Sequence, residues 1–171
     1  MRVIIIGAVL IIVVLLETTM VGRLAIFGIS PDIMLTTIVS YSILRGDTEG
    51  ALAGFFGGLL MDVALGQAMG LFAMLGLLVG YFAGKPFRDF YRESYLLPMF
   101  ITGVVAVAYG FALYVFNTLT IAYVNMTVHM WAVVLPTAVY TMIISIIVYR
   151  LLYAVNYLVE MLERRNRKVF K

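Results

Sequence analysis

Of the 171 residues, 64% are hydrophobic and 12% charged, against roughly 45–50% apolar and about 25% charged in an ordinary soluble domain, so a water-soluble globule is excluded. The formal net charge is +3, yet the basic residues gather in short segments instead of tracking one face, which argues against nucleic acid as a partner. With no Cys and one His, a disulfide framework, a thiolate nucleophile and Cys/His zinc clusters are excluded too.

A bilayer core about 30 Å thick takes roughly 20 apolar helical residues rising about 1.5 Å each. The first apolar run, residues 3–22, is broken only by Glu17, Thr18 and Thr19. It is longer than a typical signal-peptide core and no small-x-small cleavage site follows, so a retained span is expected. A second run, 31–45, opens at Ser30-Pro31-Asp32. Ser is a capping residue, Pro suits a first turn and Asp opposes the positive end of the helix dipole. This run is short for a lone crossing, which predicts burial among neighbours or extension by polar ends. Runs 50–65 and 68–84 are joined at Gly66-Gln67, and a polar segment, 85–94, separates them from run 95–117. A mixed loop, 117–129, leads to run 130–150. Eleven Tyr and eleven Phe partly cluster at the ends of the runs, as aromatic belts require.

The charges predict a topology. With the N-terminus in the cytoplasm, Arg2, Arg45, Lys85, Arg88, Arg92, Arg164, Arg165, Arg167, Lys168 and Lys171 fall on the inner side and Arg23 alone on the outer, while Arg150 snorkels at an inner span end. Ten against one predicts six crossings with both termini inside. Beyond Arg150, apolar positions 151, 154, 155, 158, 159 and 162 recur at helical spacing. Residues 151–171 are therefore expected to form a cytoplasmic interfacial helix with a basic tail near anionic headgroups, or a tail that serves orientation alone. The whole chain reads as one polytopic membrane domain in contact with the lipid bilayer.

Gly46, Gly50, Gly54, Gly58, Asp62 and Gly66 follow one another at intervals of four, and Gly76, Gly80 and Gly84 repeat the pattern in the next run. Lipid gives helices no hydrophobic drive to associate, so such stripes serve close backbone approach. The third and fourth spans are expected to form a tightly packed antiparallel hairpin, and one stripe is open to a partner's transmembrane helix.

Three acids, Glu17, Asp32 and Asp62, fall in or near the membrane, where an unpaired charge costs at least about 2.5–3.5 kcal/mol, so they must face protein, water or a cation. Paired carboxylates serve proton relays, glycosyl transfer and cation coupling, but no third group completes a motif. The structural expectation is Asp32 at a helix start, Asp62 bonded to a neighbouring helix and Glu17 meeting Arg23, with all three open to partner or ionic contacts. His129 beside Trp131 reads as interfacial, and Asn125-Met126-Thr127 matches a glycosylation acceptor. No cofactor or metal site is expected.

Pro31-Asp32, then Leu44-Arg45-Gly46 with Glu49-Gly50, the string Gly54-Phe55-Phe56-Gly57-Gly58-Leu59-Leu60-Met61-Asp62, then Gly70 and Gly80-Tyr81 resemble the signature of the bacterial rod shape-determining protein MreD family. The motif occupies residues 31–84, and the rest agrees in hydropathy. The resemblance implies a non-catalytic inner-membrane scaffold of the cell-elongation machinery. It implies association with an MreC-like single-span protein and, through it, with MreB-like filaments, RodA and a class B penicillin-binding protein. It also implies an all-α fold of six transmembrane helices similar to the substrate-binding (S) subunits of energy-coupling-factor transporters. A solute-binding subunit of a vitamin transporter is accordingly the alternative function. Against it, residues 3–21 lack the Ala-x-x-x-Ala pattern by which those subunits dock their energising module, and the outer loops offer few polar groups beyond Asn117, Asn125 and His129.

The topology is directly testable because the chain has no Cys. Single cysteines at positions 90 and 168 should resist a membrane-impermeant thiol reagent in intact cells and react after permeabilisation; labelling from outside would sink the six-span arrangement.

Overall fold

The computed structural model describes residues 2–24, 29–66, 70–85, 96–120 and 130–169; within these, it describes all side chains but those of 2, 3, 20–24, 120, 130, 160 and 162–169. Six helices take up the six apolar runs: α1 (Arg2–Leu24), α2 (Ile33–Arg45), α3 (Asp47–Leu65), α4 (Leu71–Gly84), α5 (Leu96–Thr120) and α6 (Leu135–Val169). A π turn, Met130–Val134, leads into α6, whose second residue, Pro136, lacks an N–H and fits only a first turn. By length and apolarity α3, residues Leu96–Leu119 of α5 and the stretch Trp131–Val159 can each cross a membrane; Ile4–Thr19, α2 and α4 are shorter apolar helices.

α2 is the centre of the bundle, and every residue from Met34 to Leu44 is buried. It packs against α1, α3, α4, α5 and α6. Its hydroxyls do not obstruct this, because Thr36, Thr37 and Ser42 donate to the carbonyls of Asp32, Ile33 and Ile38, four residues back, at 2.7–2.9 Å. These three hydroxyls are thus satisfied within their own helix, while Tyr41 donates its hydroxyl to Glu49 of α3 at 2.8 Å and the buried Ser40 hydroxyl has no partner among the described residues. On one side Met34 and Ile38 join Leu10, Val13 and Val14 of α1 and Met61 of α3. On another, Val39, Ile43 and Leu44 meet Ala83, Tyr149 and Leu152.

Residues 151–169 are helical, as their spacing predicted, and continue α6 without a break. Leu152 and Val159 are buried, whereas Leu151, Ala154 and Leu158 are exposed, so the side of α6 that faces protein above Arg150 continues below it.

α3 and α4 make the most extensive helix contact among the described residues. A Cβ on Gly54 would land on the carbonyl oxygen of Gly76, and one on Gly76 would land on the carbonyl of Gly54. Gly50 and Gly80 repeat this relation one turn further on, and Gly58 lies against the carbonyl of Phe72. The two backbones touch, which maximises dispersion contact where no hydrophobic drive exists. The ends of the stripe do other work. Gly46 is the joint between α2 and α3, with φ +98° and its N–H on the Ser42 carbonyl at 2.7 Å; Gly66 caps α3 at φ +64°. Both backbone conformations are costly for any residue with a Cβ. The Gly66-Gln67 turn lies only partly within the described residues.

These contacts rank the glycines. Gly54→Leu or Gly58→Leu should destabilise the protein by at least about 1–3 kcal/mol, the usual cost of overpacking, since carbonyl groups cannot step aside. A Cβ on Gly57, one position off the stripe, would meet side-chain ends and no backbone, namely the flexible thioether end of Met34 and Leu10 Cδ2 at 3.3 Å, so Gly57→Ala should cost less than about 1 kcal/mol. Thermal unfolding in detergent measures both; equal tolerance at the three positions would contradict the backbone contact.

Candidate functional site

The three acids end up doing one job. α2 and α4 are short, so their N-termini, with unsatisfied amides, are held inside the bundle. Asp32 is the N-cap of α2, and its Oδ1 accepts from the Leu35 N–H at 2.6 Å. The capping residue is thus Asp32 and not Ser30, and its own N–H donates to Thr141 Oγ1 of α6 at 3.0 Å. Glu17, 7% exposed, reaches across from α1 to accept from the Met34 N–H at 2.7 Å. The Arg23 side chain, its expected partner, lies outside the described residues. Asp62, 2% exposed, grips α4 with both oxygens, accepting from the N–H groups of Phe72 and Ala73 at 3.0 Å each. Gly70 precedes α4 at φ +96° without a side chain that could cap it, and Asp62 supplies that cap from the facing helix. Each carboxylate also meets the positive end of a helix dipole.

Two adjoining cavities open at this end of the bundle. One, about 490 Å³, is lined by Glu17 and Thr18 of α1, Asp32 and Leu35 at the start of α2, and residues of α3, α4 and α5 that include Met61, Phe72 and Tyr109. The other, about 200 Å³, lies between α5 and α6 and includes Asn117, Thr137 and Thr141. Asp32, Leu35, Tyr109 and Leu113 line both. Among the described residues the polar groups of these cavities come from α1, the start of α2, α5 and α6; Asn125 and His129 lie outside the described residues. Among the described residues no three His, Cys, Asp or Glu side chains gather as a metal site would need.

The other motif residues lie elsewhere. Pro31 is buried just ahead of α2. Arg45 ends α2 far from the acids, beside Tyr41 and Asn156 at a small cavity of about 30 Å³. Gly50, Gly54, Gly58, Gly76 and Gly80 form the hairpin seam, and Asp62 closes it at one end. Tyr109 and Thr141 escaped the sequence reading. The signal for Tyr109 is a phenol in the middle of an apolar run instead of at its ends, where aromatic belts sit.

The model of the family described as rod shape-determining protein MreD matches residues 1–158. No curated protein and no solved structure matches the chain.

Asp62 holds two amide donors with two oxygens, and that geometry sets the effect of substitution. Asp62→Asn keeps a single carbonyl oxygen and should cost about 1–2 kcal/mol, while Asp62→Leu strands both buried N–H groups and should cost about 3–5 kcal/mol or prevent folding. Unfolding midpoints of the purified variants give the comparison, and equal stability of Asn and Leu would refute the capping role.

Proposed function

The chain belongs to the rod shape-determining protein MreD family, and we propose that within it this protein is a non-catalytic scaffold of the cell-elongation machinery in the bacterial inner membrane. The partner bound directly is an MreC-like single-span protein; MreB-like filaments, RodA and a class B penicillin-binding protein are reached through it. In this reading the chain crosses the membrane six times with both termini in the cytoplasm, a topology that the basic asymmetry supports. The observation that carries the reading, beyond the family itself, is the α3–α4 seam. Its touching backbones make a hairpin that cannot slide or splay without breaking contacts along its length, which suits a fixed recognition surface. The carboxylates support the absence of catalysis, because Glu17, Asp32 and Asp62 are each engaged on helix N-termini.

The cavity with carboxylates at one end favours a second reading, a solute-binding subunit of an energy-coupling-factor type vitamin transporter. Affinity purification from native membranes separates the two. Co-isolation of an MreC-like protein with a penicillin-binding protein is the expected result; an ATPase module accompanied by a vitamin would overturn the scaffold in favour of transport.

A further inference from the structure

The cavity of about 490 Å³ falls within the range of small-molecule sites, roughly 300–1,000 Å³. Its wall is divided by chemistry. Ile38, Met61, Leu65, Phe72 and Leu113 make most of it apolar, while Glu17 and Asp32 bring two carboxylates to one end, beside Tyr109. Glu17 is engaged by the α2 amides of Met34 and Ile33, and Asp32 by that of Leu35. Among the described residues no cation lines the cavity, and the Tyr109 hydroxyl has no hydrogen-bond partner there. A dipole at one helix terminus offsets only about half a charge. A single charge on this pair of carboxylates already exceeds that offset and leaves negative potential facing the cavity.

We propose that this cavity binds a primary ammonium group carried on an apolar stem, the ammonium held between Glu17 and Asp32 beside Tyr109 and the stem lying against Ile38, Met61, Phe72 and Leu113. An ammonium brings three donors for the carboxylate oxygens and the phenol oxygen, and an aromatic ring beside it adds cation–π attraction. A metal ion fits less well, since among the described residues no third acid or imidazole joins the two carboxylates to complete a coordination sphere. The same chemistry is carried by a free alkylamine and by the amino headgroup of a phospholipid.

Calorimetric titration of the full-length protein in maltoside micelles tests the proposal, with octylammonium as probe and octanol as the neutral control of equal stem. Octylammonium should bind at least about tenfold more tightly, the equivalent of one charge-assisted hydrogen bond. Glu17→Gln and Asp32→Asn each keep an oxygen for the α2 amides and remove the charge, so each should lose about tenfold while the unfolding midpoint stays close to that of the wild type. Should either variant fail to fold, Leu113→Trp fills both cavities without touching the carboxylates and should abolish binding. Equal affinity for the two probes, or undiminished binding by a folded Glu17→Gln/Asp32→Asn protein or by Leu113→Trp, would overturn the site. Native mass spectrometry of protein extracted with its membrane lipids distinguishes the sources: a retained aminophospholipid or a retained small amine, in either case lost from the charge-neutral variant, supports it. Retention of an anionic lipid without an amine, dependent on Glu17 and Asp32, would refute it.

Discussion

A helix that stops inside a membrane leaves four amides with nothing to donate to, and water is not there to help. This constraint organises the molecule. α2 and α4 are short apolar helices that begin against protein, and each start is met by acid: Glu17 and Asp32 at α2, Asp62 at α4. The acids come from α1, from the segment ahead of α2 and from α3, so each cap is also a tether between elements that lipid would otherwise leave free to part. Charge that would be prohibitive alone becomes tolerable because it is spread over amide donors and helix dipoles.

Glycine and aspartate cooperate along α3. The glycines let α4 come close enough for backbone contact, and that approach brings the first amides of α4 within 3.0 Å of Asp62. Remove the approach and the carboxylate has no partner; remove the carboxylate and the closely held helix end is unsatisfied. The pattern of glycines at intervals of four ending in an acid is one device and not two adjacent features.

Much of this was legible in the residues. Hydropathy located six helices, the spacing of Gly50, Gly54 and Gly58 marked the seam, and the shortness of the second run foretold the burial of α2. What escaped was set by three-dimensional placement. Gly46 and Gly66 continue the spacing yet serve as joints, because a stripe on paper does not show where a helix turns into a cap. Asp32 caps where Ser30 was equally eligible by type. Glu17 reaches α2, a partner seventeen residues away that no local rule identifies. The convergence of Tyr109 and Thr141 on Asp32 depends on how α5 and α6 cross the start of α2, and periodicity within one helix carries no information about that crossing.

The unbroken course of α6 has a mechanical consequence. At about 1.5 Å per residue its 35 residues extend for about 50 Å, well beyond the 30 Å or so of a hydrocarbon core. Thr141, near one end, accepts from the Asp32 N–H, while Arg164, Arg165, Arg167 and Lys168 lie at the other. Tyr149, Leu152 and Val159 keep it against the bundle over most of that length, so the acid-lined end and the basic end are joined by one continuous, packed element.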